Sequence, residues 1–253
     1  MKRVLCLSTL LVALLVGAAV AQDPLKVAPQ AYKLEFENEW VRVTRVHYGP
    51  FEKIPEHYHT ARASAYVYLN DGGPIIFKHL NLPYADVTRQ ATKAGSFRLY
   101  KGLKEVHLVE NPTSAPSDFL RVEFKTEAAN VTSLRGKFFR EAVAPGENFS
   151  QVQFENEQVR VTRLLIAPRG KLDVSTKANE PALFVALTLA QLKGQKGQAA
   201  KLTLALGKTC WLKNNQPQQW KNIGENSAEL LRFEFKTKPL ADPTAQEHEH
   251  KHE

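Results

Sequence analysis

The chain is poor in the residues that would give it covalent or ionic staples. It has two cysteines and one methionine in 253 residues, and no block of like charge outside its ends. Cys6 lies in an opening segment expected to be removed, which leaves Cys210 alone and no internal disulfide. Cys210 stands between Thr209 and Trp211 in an apolar run, so it reads as a buried thiol rather than a nucleophile. Two hydrophobic cores must hold the protein instead, and about 115 residues per half suffice for that. The net charge is +8, but without a lysine/arginine block or a basic-aromatic stripe nucleic acid is not a partner. No His-Asp pair, serine elbow or paired carboxylates stand out, and no catalytic residue is singled out. Histidine is scarce: of eight, three fall in the last six residues, leaving His47, His57, His59, His79 and His107.

The two ends read as accessories. Lys2 and Arg3, an apolar stretch from Val4 to Val20, and Ala19-Val20-Ala21 before Gln22 form the pattern of a signal peptide cleaved after Ala21. The apolar stretch is short for a membrane span and no second one follows. The expectation is an exported protein, periplasmic or secreted, with no membrane contact after cleavage. At the other end, residues 241–253 are polar and rich in His and Glu, so they are expected to be disordered, with at most weak metal chelation.

Between the ends the sequence repeats itself. Phe36-Glu37-Asn38-Glu39-Trp40-Val41-Arg42-Val43-Thr44-Arg45 returns from Phe154 to Arg163 with only Trp40 and Gln158 differing. Leu120–Thr126 returns as Leu231–Thr237 with one change. Two matches in the same order mean a duplicated domain. The offset is 118 at the opening phrase and 111 at the closing one, so the second copy has lost a net seven residues between them. Trp40–Tyr48 and Gln158–Ile166 alternate apolar and polar residues with the period of half-buried strands. Further short strands are expected at Ala65–Leu69, Ile75–His79, Ser96–Tyr100, Glu105–Val109, Phe119–Phe124, Ala182–Leu189, Ala200–Leu206, Thr209–Leu212 and Leu230–Phe235, separated by Gly, Pro, Asn and Asp. Such spacing predicts all-β sandwiches or barrels: one at 27–126, a linker at 127–142 with a short helix around Leu134–Ala142, and a second at 143–240.

His57 and His59, at i and i+2 on a strand, point to one face. A third imidazole, His107, on a neighbouring strand would converge with them. Three neutral imidazoles suit a divalent first-row metal (Zn, Fe, Mn, Ni or Cu) with positions left for water or substrate. The glycine spacing around these histidines resembles the two motifs of the cupin superfamily: Gly49, His57, His59 and Gly72, then Gly95, His107 and Asn111. The resemblance spans roughly 30–126 and 148–237, and it implies two tandem cupin-type jelly-roll (double-stranded β-helix) barrels, a bicupin-like arrangement whose halves are each similar to small exported single-cupin proteins of poorly defined function. The usual cupin glutamate four or five residues after the second histidine is missing, since Ala63 and Ser64 stand there. Tyr66, Tyr68, Glu105 and His47 are the alternatives for a fourth group, with His47 ranked as packing.

The second half is an internal control. The two offsets map His57, His59 and His107 onto Ser175, Lys177 and Gln218, and Asn111 onto Asn222. Lysine stays protonated and has no lone pair to give, so this copy is expected to bind no metal in that way and to bury a sheet face of the first. The functional expectation is a metal and a small molecule held in the N-terminal barrel. The alternative is a metal-dependent enzyme, of dioxygenase or isomerase type, acting on a small acid or sugar. Tyr58 should face away from the metal, and edge strands leave homodimerisation open.

Overall fold

A computed structural model describes residues 22–83, 86–128, 134–140, 142–144, 146–174, 180–195, 201–212 and 219–241. The expected signal segment with Cys6, the counterparts Ser175, Lys177 and Gln218, and the tail from 242 onward lie outside the described residues. After a single helical turn, α1 (Pro24–Val27), the first half runs β1 (Tyr32–Glu37), β2 (Val41–Tyr48), β3 (Lys53–His59), β4 (Ser64–Tyr68), β5 (Ile75–His79), β6 (Asp86–Arg89), β7 (Phe97–Tyr100), β8 (Glu105–Glu110), β9 (Ser117–Phe124) and β10 (Arg135–Phe138). The second half runs β11 (Phe149–Glu155), β12 (Val159–Ile166), β13 (Lys171–Asp173), β14 (Ala182–Ala186), β15 (Ala190–Gln195), β16 (Lys201–Leu204), β17 (Thr209–Leu212), β18 (Gln219–Asn222) and β19 (Ala228–Phe235). Each half is a jelly-roll barrel made of a large and a small antiparallel sheet. The first pairs β1-β2-β9-β4-β7-β10 with β3-β8-β5-β6, and the second pairs β11-β12-β19-β14-β17 with β13-β18-β15-β16.

The repeated phrases do structural work. Asn38 Oδ1 accepts from the backbone N–H groups of Trp40 and Val41 at 2.8 and 2.9 Å, and Asn156 accepts from Gln158 and Val159, both at 2.9 Å. The same side-chain turn therefore joins β1 to β2 and β11 to β12. Asn111 and Asn222 are matched in the same way. Asn111 Nδ2 donates to the carbonyls of Gly49 (2.8 Å) and Ala115 (2.9 Å), and Asn222 Nδ2 donates to Ile166 (2.9 Å) and Asn226 (2.8 Å). Both are fully buried. Gly95 and Gly207 open matching turns with φ of 74° and 73°, a left-handed conformation that a Cβ disfavours.

The two barrels pack through the outer faces of their large sheets. Along β9, Phe119 and Arg121 face into the first barrel, while Leu120, Val122 and Phe124 face the second. Leu231, Phe233 and Phe235 of β19 meet them, with Val41, Val43, Val159 and Val161 in the same core. The large sheets are thus covered on both faces, which is why every residue of β19 is buried. The turns embrace across the join: Trp40 packs on Trp211 and Phe235, and Gln158 Nε2 donates to Thr126 of the other half. The second barrel buries a sheet face of the first, as the sequence predicts.

One expectation fails. Among the described residues of 134–142 there is no helix; Arg135–Phe138 is instead the edge strand β10, paired antiparallel with β7. Phe138 stacks on Phe97 at 4.6 Å between ring centres and also touches Phe154. An open sheet edge and two aromatic partners outweigh the weak local preference for helix.

Phe233→Ala should cost about 3–5 kcal/mol, because its ring is fully buried where the barrels meet; urea denaturation will measure it. Asn222→Ala should cost about 1–3 kcal/mol for each carbonyl left without its donor, while leaving metal content unchanged.

Candidate metal centre

β3 and β8 build the site. Ile54 pairs with Val109, and a bulge follows, so that His57 pairs with His107 and His59 with Glu105. The bulge matters because Ile54 and His57 are both buried although three residues apart. Strict alternation from Ile54 would turn His57 to solvent; one extra residue turns it, and His59 with it, toward the cavity. Pro55 sits in the bulge, where a missing N–H costs nothing, and its freed carbonyl accepts from His57 Nδ1 at 2.8 Å.

The three expected imidazoles are brought together. Ring centres lie 5.0 Å apart for His57–His59, 4.7 Å for His57–His107 and 5.1 Å for His59–His107. A carbonyl only accepts, so His57 carries its proton on Nδ1 and presents a lone pair at Nε2. That Nε2 lies 3.1 Å from Nε2 of His107. Two cis ligands each about 2.1 Å from one metal ion would be about 3.0 Å apart. His107 Nδ1 is buried without a hydrogen-bond partner among the described residues, and Glu105 Oε2 stands 3.7 Å from it. With the His107 proton on that side, two lone pairs converge; that of His57 accepts from the Tyr32 hydroxyl at 3.0 Å in the metal-free chain, and a shared cation would replace that contact. The donor set therefore fits a divalent metal.

His59 is less committed. Its Nδ1 accepts a hydrogen bond from Arg121, whose guanidinium is also held by Glu123 at 3.3 Å and Ser64 at 3.4 Å. Ligation by His59 requires the ring to turn or to give up its Nε2 proton. His79, Glu105 and His107 form a second convergent set sharing one histidine with the first. Sequence reasoning named Glu105 but overlooked His79, although it was one of five histidines outside the tail. It pairs directly with His107 across β5 and β8.

Tyr32 and Tyr48 form a hydroxyl chain behind His57, with contacts of 2.7 Å between the tyrosines and 3.0 Å from Tyr32 to His57 Nε2. Nothing in the local sequence around Tyr32 singles it out. His47 is exposed and faces away from the cavity, and Tyr68 lies in the core beneath Arg89. Tyr58 does not line the cavity, in keeping with its alternation against the two histidines. In front of the histidines lies a cavity of about 460 Å³, bordered by Tyr66, Phe77, His79, Arg98, Glu105 and Arg121 among others.

Burial holds all three imidazoles neutral. It lowers the pKa of His57; burial and then Arg121 push His59 well below the usual range; burial and then His57 bring His107 down to about 2. The second barrel differs at each of these points. Register pairs Val46 with Tyr32 and Leu164 with Ser150, and it matches Tyr48, Tyr66 and Tyr68 with Ile166, Phe184 and Ala186. Its interior is an apolar core around Phe184, Leu192, Leu204 and Trp220.

No family model and no curated protein matches the chain. Solved structures do. AerE from Microcystis aeruginosa superposes with a TM-score of 0.55 at 11% identity, over 81% of this chain and 97% of that one. A variant of salicylate 1,2-dioxygenase from Pseudoaminobacter salicylatoxidans gives 0.51 at 14%, over 78% and 72%, and the adduct of that enzyme with gentisate gives 0.52 at 13%, over 78% and 68%. Both barrels have the cupin fold. At these identities the likeness is one of architecture.

Folding the metal-free chain buries neutral histidines whose unfolded pKa is about 6.5. The unfolded state therefore binds more protons below that pH, and stability falls as pH drops from about 6.5 toward 2, by up to about 1.4 kcal/mol per pH unit for each histidine. Denaturation of chelator-treated protein between pH 7 and 4 should show this slope, and His107→Leu should flatten it.

Proposed function

We propose that this is an exported bicupin-like protein whose N-terminal barrel holds a divalent metal through His57, His59 and His107, and binds a small molecule beside it. The observation that carries the reading is the 3.1 Å approach of two imidazole Nε2 atoms, one of them fixed as a lone-pair donor by Pro55. The first 21 residues support export by their basic start, apolar run and small-x-small end.

A bound metal would act as a Lewis acid toward a ligand oxygen. The chain's own groups do the rest. Pro55 orients the His57 ring, and the Tyr32 hydroxyl, which borders the cavity 3.0 Å from His57 Nε2, would be left to donate to a ligand there once that nitrogen is taken by a metal. Burial raises the pKa of Tyr32, with Tyr48 adding to the effect, so that hydroxyl keeps its proton and serves as a hydrogen-bond donor. The barrel walls of Tyr66, Phe77 and Phe119 exclude water from one side of the cavity. Catalysis is the second reading, and one observation favours it: the cavity runs up to the histidines, leaving room for a reactant against them. The neighbour of known reaction in the comparison is a dioxygenase solved with gentisate, which makes oxygen consumption with small aromatic acids the first activity to assay.

Elemental analysis of protein lacking residues 241–253 should find one metal per chain, and His57→Ala/His59→Ala should lose it. Full metal content in that double variant would defeat the assignment. Metal without turnover over a panel of acids and sugars would leave the binding reading and remove the catalytic one.

A further inference from the structure

The cavity before the histidines carries more positive charge than the fold neutralises. Arg89, Arg98, Arg121 and Lys137 line it, against the single carboxylate of Glu105. Arg121 has its own counter-ion in Glu123. Arg98 has none within reach among the described residues. Its Nε is buried without a hydrogen-bond partner, and its guanidinium lies over the rings of Tyr66 at 4.6 Å and Tyr100 at 5.8 Å. Arg98 as a whole is half-buried, and Arg89 is buried. Arg89 donates to Ser117 Oγ at 2.8 Å and lies over Tyr68 and Phe119, while its Nε also lacks a partner. A buried guanidinium without an anion, that of Arg89, is costly, and a half-buried second one beside it adds like charge that a fold selected for stability alone would not keep.

The duplicated barrel separates structural arginines from the others. Arg121 corresponds to Arg232, since β4 pairs Tyr66 with Arg121 as β14 pairs Phe184 with Arg232. Arg232 keeps an internal role, donating to the Val174 carbonyl at 2.8 Å and lying 3.5 Å from Glu234. Arg98 corresponds to Cys210, because Tyr66 pairs with Arg98 and Phe184 with Cys210. Neither β15 nor β16, the counterparts of β5 and β6, contains an arginine. The arginine with a partner inside the fold is thus retained in both copies. Those without a carboxylate partner among the described residues are missing from the copy whose interior is apolar.

We propose that Arg98, with Arg89 behind it, is the clamp for the carboxylate of a small organic acid whose neighbouring oxygen reaches the histidine cluster. The substrate class is a 2-hydroxy, 2-oxo or phenolic acid of about one ring in size, matched to the cavity of about 460 Å³. Stacking on Tyr66 and Tyr100 engages the faces of the Arg98 guanidinium and leaves its in-plane N–H fork for a bidentate contact. The proposal rests on the metal reading above, because the second oxygen is assigned to the metal.

The test uses the full chain, with metal per chain measured on every sample, and isothermal titration with 2-hydroxybenzoate, 2-oxobutyrate and the neutral 2-hydroxybenzamide. At least one acid should bind, and the amide at least tenfold more weakly than 2-hydroxybenzoate. Arg98→Gln should weaken acid binding at least tenfold without changing metal content or amide affinity, and Arg98→Lys should restore part of the loss. Should Arg98→Gln fail to fold, Arg98→Lys and the acid-to-amide ratio of the wild type decide. Equal binding of acid and amide, an unaffected Arg98→Gln, or no acid bound at millimolar concentration overturns the clamp. Wild-type protein without metal sinks the metal reading instead, whichever way the acids behave.

Discussion

The N-terminal cavity depends on the pairing of β3 with β8. Everything before the bulge follows one alternation and everything after it follows the other, so a single inserted residue decides whether His57 and His59 face the barrel or the solvent. Pro55 makes the bulge chemically useful as well as geometrically necessary. It gives no N–H to the ladder, and the carbonyl it leaves free fixes the tautomer of His57. Asn111 then closes the far end of β8 onto Gly49, holding the two strands in register from the other side.

The two copies separate the parts of a barrel that both keep from the parts in which they differ. The asparagine turns before β2 and β12, the buried pair Asn111 and Asn222, the left-handed Gly95 and Gly207, and the Arg-Glu pairs on β9 and β19 occur in both. These satisfy buried backbone groups or neutralise buried charge, so losing them would cost stability in either half. The tyrosines at 32, 48, 66 and 68 and the arginine at 98 differ between copies; Tyr32 becomes the exposed Ser150, while Ile166, Phe184, Ala186 and Cys210 in the other places join the apolar core around Trp220. The described interior of the second barrel is filled with side chains.

Much of this was legible in the sequence, for identifiable reasons. The duplication gave two readings of every strand, and Val-Arg-Val-Thr alternation marked β2 and β12 to within a residue. His57, His59 and His107 stood out by rarity and spacing. The shorter strands β6 and β13 did not, since three or four residues carry too little periodicity. The local sequence of β10 does not announce a strand, because its strand character comes from Phe97 and Phe154, not from its own residues. The i, i+2 rule put two histidines on one face but could not say which face, since that depends on a bulge. Tyr32 and Arg98 were invisible for a similar reason: each owes its place to partners far along the chain.

The tryptophans lie away from the cavity. Trp40 and Trp211 meet where the barrels join, and Trp220 fills the C-terminal core. Intrinsic fluorescence of this protein is therefore a gauge of whether the halves are docked and the second interior is intact. Occupancy of the N-terminal chamber will have to be followed through the tyrosines that border it, by their ultraviolet absorption.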